Sequence, residues 1–381
     1  MNTSTTGRSR RQKRSWLSRL RRGANLLNTF DPDTLNRLLE SVKESQQRIA
    51  ASQQEIQTTQ REIQTRITAL DHALVVSNQI QNVSVLNIKN LGYEIGRSLA
   101  KKDLSKPVLG PVPTKLKSKL CVQSDFDKDW LLFWANELRT APYYHRKIWE
   151  LCYICQVLFA SGKLVPGQHG LGFGCGQEPL PSLFAKYGAT VVATDLEDDR
   201  PEAAVWQLTQ QHGTDAERYR RRDICPDEER LASIEFRPLD MNAISRDLDG
   251  QFDFCWSACA FEHLGSLAKG LEFVENSLTT LKKGGIAVHT TEFTLNDGET
   301  IDNHPIVLYQ SHHLLQFAEK IRLKGYEVVP FDFNPGDQIL DRYIDLPPWS
   351  DKLYLPSQSY AHLKLSFSGF TCTSVGFIIK A

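Results

Sequence analysis

Between His169 and Glu197 the chain reads HGLGFGCGQEPLPSLFAKYGATVVATDLE, a run whose residue types and spacing define a ligand site. A short apolar strand leads into Gly172, Gly174 and Gly176, a helix opens at Glu178 and Pro179, and a second strand, Thr190 to Thr194, ends on Asp195. In a parallel α/β sheet the turn after the first strand brings bare backbone against a ligand, and glycine permits that approach because it has no Cβ. The acid that closes the next strand then lies beside the turn, placed to accept hydrogen bonds from a ribose diol. This is the chemistry of a nucleotide-type site.

The third glycine decides which nucleotide. Dinucleotide sites ask for GxGxxG, with a pyrophosphate on the helix N-terminus. Here the pattern is GxGxG, and Gln177 stands where the dinucleotide spacing wants glycine. Glu178 beside it places a carboxylate that suits the helix dipole and repels a diphosphate. The loop therefore suits a ligand without phosphates, and S-adenosylmethionine is one.

At this point the chain resembles the class I S-adenosylmethionine-dependent methyltransferases, over roughly residues 167–381. Four separated pieces carry the likeness: the glycine loop with Asp195, the strand-like EFRPLDMN, the segment FDFCWSACAFEHLG (Phe252 to Gly265), and LKKGGIAVHTTEF (Leu281 to Phe293). The resemblance implies a cofactor site in which Gly172, Phe173, Gly174 and Gly176 hold the methionyl end and Asp195 with Leu196 the ribose. It likewise places Asp240 at the adenine amino group, Met241 against the ring and Ser257 at the cofactor. The implied fold is a doubly wound, Rossmann-like α/β sheet with an antiparallel last strand at Thr373 to Ile379.

Methyl transfer from a sulfonium is an in-line displacement, so the protein must align donor and acceptor and, for a hydroxyl acceptor, remove a proton. Candidate bases must come from the carboxyl edge of the sheet. Glu262 and His263 follow the fourth strand, and His289 with Glu292 lies on the fifth. His263 is the first choice because imidazole is easily poised near neutral pH; a structural role for the Glu-His pair is the alternative. Strand alternation puts His289 and Glu292 on opposite faces, so they do not both meet an acceptor.

Before the last strand, PFDFNPGDQILDRYIDLPPWSDK gathers Asp332, Asp337, Asp341 and Asp345 with Tyr343 and Trp349, and His362 and Lys364 follow. A long acidic and aromatic connection is where a substrate lid would sit, with a solvated surface loop as the alternative. Carboxylates beside aromatic faces suit a polyhydroxylated acceptor, a sugar, glycan or other small polar molecule. Protein and lipid acceptors are the alternatives within the enzyme class, and a non-catalytic coiled-coil scaffold is the alternative outside it. Oxygen ligands would suit magnesium, but the aspartate spacing matches no recognisable metal loop, and no metal is expected.

The remaining elements must position this chemistry. Strands are expected near Leu171, Val192, Phe236, Phe254, Val288 and Val328, separated mostly by helical stretches, which argues for a mostly parallel sheet. Residues 124–166 hold two amphipathic helices that would cap the site, DWLLFWANELR and HRKIWELCYICQVLF, with Trp130, Trp134, Tyr143 and Tyr144 as core or site-lining aromatics. Residues 99–123 read as a proline- and lysine-rich linker.

From Asp31 to Ser98, Leu35, Val42, Ile49, Ile56, Ile63 and Leu70 recur every seven residues, with Leu39, Gln46, Gln53, Gln60, Ile67 and Leu74 as a second seam. Such heptads predict a coiled coil and a homo-oligomer, with a helix folded back on the body as the rival. Asp31 is the candidate N-cap. Residues 1–30 are basic, with no acidic residue before Asp31; a solvated tail is the simplest reading and contact with an anionic membrane surface the alternative.

The 45 basic and 45 acidic residues balance, and nothing points to nucleic acid. Eight scattered cysteines, Cys152 and Cys155 among them as a lone CxxC, are read as buried thiols in a reducing cytoplasm. No apolar run is long enough to span a bilayer.

Overall fold

The computed structural model describes residues 31–103, 110–140, 143–197, 215–347, 349 and 361–381. The basic segment 1–30, with its expected tail or membrane contact, lies outside the described residues. The chain divides into two compact units, Met1–Val83 and Ser84–Ala381.

In the first unit runs most of helix α1 (Pro32–Asp103). Its start follows the expected chemistry: Asp31 Oδ1 accepts from the Asp33 and Thr34 amides, each at 3.0 Å. Pro32 then supplies a preset φ at the first helical position. Beyond the half-buried Leu35, both expected seams leave their apolar residues open on the single chain, with Val42, Ile49, Ile56 and Ile63 more than 50% exposed and Leu70 at 69%.

The second unit opens on the end of α1, then β1 (Ser118–Leu120), α2 (Asp129–Glu137), β2 (Tyr144–His145) and α3 (Arg146–Ala160). The alternation follows: β3 (His169–Phe173), α4 (Leu180–Lys186), β4 (Thr190–Asp195), α5 (Glu228–Ala232), β5 (Ile234–Pro238), β6 (Phe252–Ala258), α6 (Leu267–Ser277), β7 (Leu281–Thr294) and α7 (Ser311–Leu323). Short pieces β8 (Glu327–Val328), β9 (Phe331–Asp332), α8 (Ile339–Arg342), β10 (Ile344–Asp345) and β11 (Ala361–His362) precede β12 (Lys364–Phe367) and β13 (Phe370–Lys380).

The main sheet has the order β10-β12-β13-β7-β6-β3-β4-β5. Strands β3 to β7 run parallel, and β13 lies antiparallel to β7 from Cys372 opposite Thr294 to Lys380 opposite Ile286. This is the doubly wound, Rossmann-like sheet with the expected antiparallel strand.

Apolar residues alternate to both faces, as a parallel sheet covered on both sides requires. On one side Phe254 and Trp256 of β6 join Trp149 and Cys152 of α3 and Phe184 of α4. On the other, Cys255 joins Phe273 and Val274 of α6. Each large apolar side chain so buried contributes about 1.5–3 kcal/mol. All eight cysteines are buried and free of disulfides, and Trp130, Trp134 and Tyr144 pack in the core.

Two sequence boundaries shift. The stretch read as linker contributes β1, which pairs with β13 and β9. Helix α1 does not fade at Gly92 to Ser98 but runs to Asp103, and its last turns belong to the second unit, with Lys89 and Tyr93 buried. Gly92 is a point of close approach: a Cβ there would stand 2.2 Å from the Tyr343 ring.

Candidate active site

Strand β3 has β4 on one side and β6 on the other, and the chain winds outward to β5 before returning to β6. Such a reversal opens a crevice at the carboxyl ends of the two adjacent strands. The glycine loop leaves the end of β3, and Cys259–His263 leaves the end of β6, with Phe173 paired opposite Ser257.

On the cofactor side, Gly174 and Gly176 take left-handed φ values of 59° and 54°. A Cβ on Gly174 would lie 2.9 Å from the Ala260 Cβ and 3.1 Å from the Met241 sulfur, so the bare backbone forms a cradle between them. The Asp195 carboxylate faces this loop. Its Oδ2 accepts from the Gly176 amide at 3.1 Å and its Oδ1 from the Leu196 amide at 2.9 Å. Asp240 caps its own turn through the Asn242 amide at 2.8 Å and stays partly exposed beside the buried Met241.

Two expected cofactor contacts turn away. Phe173 is buried against Phe273 with ring centroids 5.1 Å apart, and the buried Ser257 hydroxyl meets His289 Nδ1 at 2.8 Å. Both side chains share the strand face that carries Leu171 and Cys255, opposite to Phe254 and Trp256, so alternation sends them into the core. Glu178 differs from expectation too. It accepts from Trp256 Nε1 at 2.6 Å beneath the loop, and burial pushes its carboxyl up to about 8, against the opposing pull of that hydrogen bond. Near neutral pH it is mostly neutral, so it does not act as a repelling charge.

On the acceptor side, Cys259 holds a φ of 52°, unusual for a non-glycine residue. Its amide is fixed by the Thr290 carbonyl at 3.0 Å and the Thr290 hydroxyl at 3.1 Å. This kink directs Ala260 to the glycine loop while Cys259 and Glu262 join a buried polar cluster built on Arg146. The guanidinium reaches Glu292 Oε1 at 2.5 Å, Ser374 Oγ at 3.1 Å, Glu150 Oε1 at 3.2 Å and Cys259 Sγ at 3.7 Å. Burial disfavours the charge on Arg146, but Glu292, Cys259 and Glu150 outweigh it and raise its pKa. Glu262 is fully buried; its Oε2 accepts from the Thr291 hydroxyl at 3.1 Å, and its Oε1 accepts no hydrogen bond. Arg146 Nε is likewise unpartnered.

Ligand atoms of Cys259, Glu262 and Glu292 lie within 4.8 Å of one another. Within this group Arg146 supplies a positive charge to Glu292 and Cys259. Sequence reasoning missed Arg146. Its signal was a charged pair four residues apart, Arg146 and Glu150, inside an otherwise apolar helix.

His263 stands at this edge. Its Nδ1 donates to the Pro305 carbonyl at 2.9 Å, and its Nε2 lies 3.9 Å from Glu262 Oε1. His289 does not reach the site. It is sealed between Ser257 and Ser277, at 2.8 and 3.3 Å, and walled by Phe261, Phe273 and Phe377. Burial lowers its pKa to about 3, so it remains neutral in the core. The expected opposition of His289 and Glu292 is present, since Glu292 turns to Arg146.

The acidic insertion also differs from a solvated lid. Asp341 accepts from the Gln123 amide at 2.8 Å and lies 3.9 Å from the buried Lys364. Asp345 pairs with Lys89 at 2.6 Å and His362 at 2.7 Å. Asp341 and Asp345 are countercharges inside the body; of the expected lid, residues 330–352, only 348 and 350–352 lie outside the described residues.

Residues 171–289 match the family described as methyltransferase domain. The chain carries a methyltransferase domain. No curated protein matches the chain. Among solved structures it is similar to a protein described as sarcosine dimethylglycine methyltransferase from Galdieria sulphuraria, at 15% identity, covering 61% of this chain and 87% of that one with a TM-score of 0.39. It is similar to magnesium protoporphyrin IX methyltransferase from Synechocystis PCC 6803, at 11% identity, 65% and 87% coverage and a TM-score of 0.36. The match to the cyclase SpnF, at 18% identity and a TM-score of 0.32, covers 44% of this chain and about half, 54%, of that one. Likenesses of this size say nothing about the acceptor. The cofactor of the methyltransferase domain is S-adenosylmethionine, and the residues fit it: a cradle that a Cβ would fill at Gly174, with the Asp195 carboxylate turned to the loop.

Proposed function

We propose that the methyltransferase domain methylates a hydroxyl of a small polar acceptor, with sugars and glycans as the class, and that Glu262 takes the proton. The carrying observation is the unpartnered Glu262 Oε1, fully buried on the segment that joins the cofactor cradle to the Arg146 cluster. An orphan acceptor in such a place costs about 1–3 kcal/mol unless a ligand satisfies it. Arg146 Nε is an orphan donor in the same cluster. An ammonium group can only donate and a carboxylate can only accept, whereas hydroxyls do both. A hydroxylated acceptor has the donor and acceptor character that these two groups lack.

Bound S-adenosylmethionine supplies an electrophilic methyl group on sulfur. With that methyl group delivered to the acceptor oxygen and the thioether as leaving group, Glu262 Oε1, 3.9 Å from His263 Nε2, would take the hydroxyl proton. Asp195 and the glycine loop orient the donor; Arg146 and Glu262 orient the acceptor.

The test is incubation with methyl-labelled S-adenosylmethionine and fractionated cell extract. Label is expected in a sugar or glycan fraction through an alkali-stable ether. Label in protein or lipid would replace the acceptor class, and failure to bind the cofactor would favour the scaffold reading.

We also infer that the open seams of α1 are covered by a second copy of this chain. Their apolar residues are exposed along several heptads, a pattern that buries itself against identical helices. Eight buried cysteines free of disulfides suit a reducing compartment, and on that ground we place the enzyme in the cytoplasm; no helix among the described residues is long and apolar enough to cross a membrane.

A further inference from the structure

The end of α1 meets the body through a buried chain of contacts that methyl transfer itself does not use. Lys89, 1% exposed, donates to Asp345 Oδ1 at 2.6 Å and to the Leu346 carbonyl at 2.7 Å. The Tyr93 hydroxyl, one turn on, donates to Asp345 Oδ2 at 3.0 Å. The same oxygen accepts from His362 Nδ1 at 2.7 Å. The His362 ring stacks on that of His145, with centroids 4.6 Å apart, and β11 pairs with β2 so that His362 lies opposite His145. His145 is the N-cap of α3, its Nδ1 accepting from the Lys147 amide at 3.1 Å. The next residue is Arg146, whose guanidinium holds Glu292.

We infer that Lys89 and Tyr93 are positioning residues for the acceptor site, acting through Asp345, His362 and His145 on Arg146. The inference rests on the reading that Arg146 and Glu262 receive the acceptor. Its physical basis is that a helix cap fixes the first turn, where orphan amides otherwise fray, and Arg146 and Glu150 are in the first turns of α3. Asp345 is fully buried, so it needs both cationic and neutral donors to stay in place. With Lys89 gone, Asp345 loses its cation, the His362 ring loses its anchor, and the cap of α3 loosens, while the hydrogen bonds between the glycine loop and Asp195 lie outside this chain of contacts.

The test uses the full chain with two variants. The double variant Lys89→Met/Asp345→Asn removes both charges and leaves no orphan ion, so its fold is expected to hold. Tyr93→Phe deletes one hydroxyl and keeps the ion pair. Hydrogen exchange across residues 144–150 is expected to rise about tenfold in the double variant, reporting freer local opening, and less in Tyr93→Phe. Affinity for S-adenosylmethionine is expected to stay within about twofold of wild type, because the cradle is unchanged. Transfer of label into the extract fraction that the wild-type chain labels is expected to fall roughly 10²-fold, the penalty of a misplaced acceptor.

Unchanged exchange at 144–150, or wild-type transfer in the double variant, would overturn the inference. Loss of cofactor affinity together with transfer would also overturn it, showing a general structural role. If the wild-type chain binds no S-adenosylmethionine, the methyltransferase reading fails, and the exchange result still judges the linkage by itself.

Discussion

At the scale of single residues, each half of the site answers to one carboxylate. Asp195→Ala should leave the fold intact and lower S-adenosylmethionine affinity roughly 10- to 100-fold, the worth of about 1.5–3 kcal/mol for hydrogen bonds to a charged group; calorimetry checks it. Glu262→Gln should cut turnover by about 10²-fold or more, as loss of a positioned base does, with cofactor affinity kept. His263→Ala should cost less, since that ring is tied to Pro305 and stands 3.9 Å from Glu262 Oε1; a larger loss would return the base to the histidine. Glu178 gives a pH signature. Its carboxyl ionises near 4.5 in the unfolded chain and at about 8 in the folded one. Between those values the folded form keeps a proton that the unfolded form has lost, so stability present below pH 4.5 is lost as pH rises to about 8. Urea midpoints measured from pH 5 to 9 should show that decline, and Glu178→Gln should flatten it.

At the scale of elements, the parallel strands, the glycine turn and the acid at the end of β4 were legible because each carries a local signal: apolar runs, missing Cβ atoms, a strand-end carboxylate. The kink at Cys259 and most of the Arg146 cluster were not, because nothing near Cys259 in sequence announces a left-handed backbone, and the partners of Arg146 other than Glu150 lie on β7, on β13 and after β6. His289 misled for a related reason. A histidine at a strand end looks catalytic until the face it occupies is known, and here that face meets α6. Asp341 and Asp345 read as lid residues because their cations, Lys364 and Lys89, are remote in the chain or across a strand. Lys89→Met alone leaves Asp345 without its buried cation and should destabilise the body by about 3–5 kcal/mol, read from denaturant unfolding.

At the scale of the molecule, the boundary at Val83 and Ser84 separates what must fold together from what need not. A chain of residues 84–381 should fold, bind S-adenosylmethionine and sediment as a monomer, while the full chain assembles; a monomeric full chain would remove the oligomer reading. A chain cut at residue 100 lacks Lys89 and Tyr93 and should be markedly less stable than one cut at 84. Strand β13 gives the molecule its order of assembly. It is flanked by β12 and β7 and also hydrogen-bonds β1 and β8, all of which precede it. Until that segment emerges from synthesis, the long β7 has a bare edge ready to pair wrongly. Such distant pairings close slowly, so docking of β13 is expected to limit the refolding rate of the body, which stopped-flow refolding would measure.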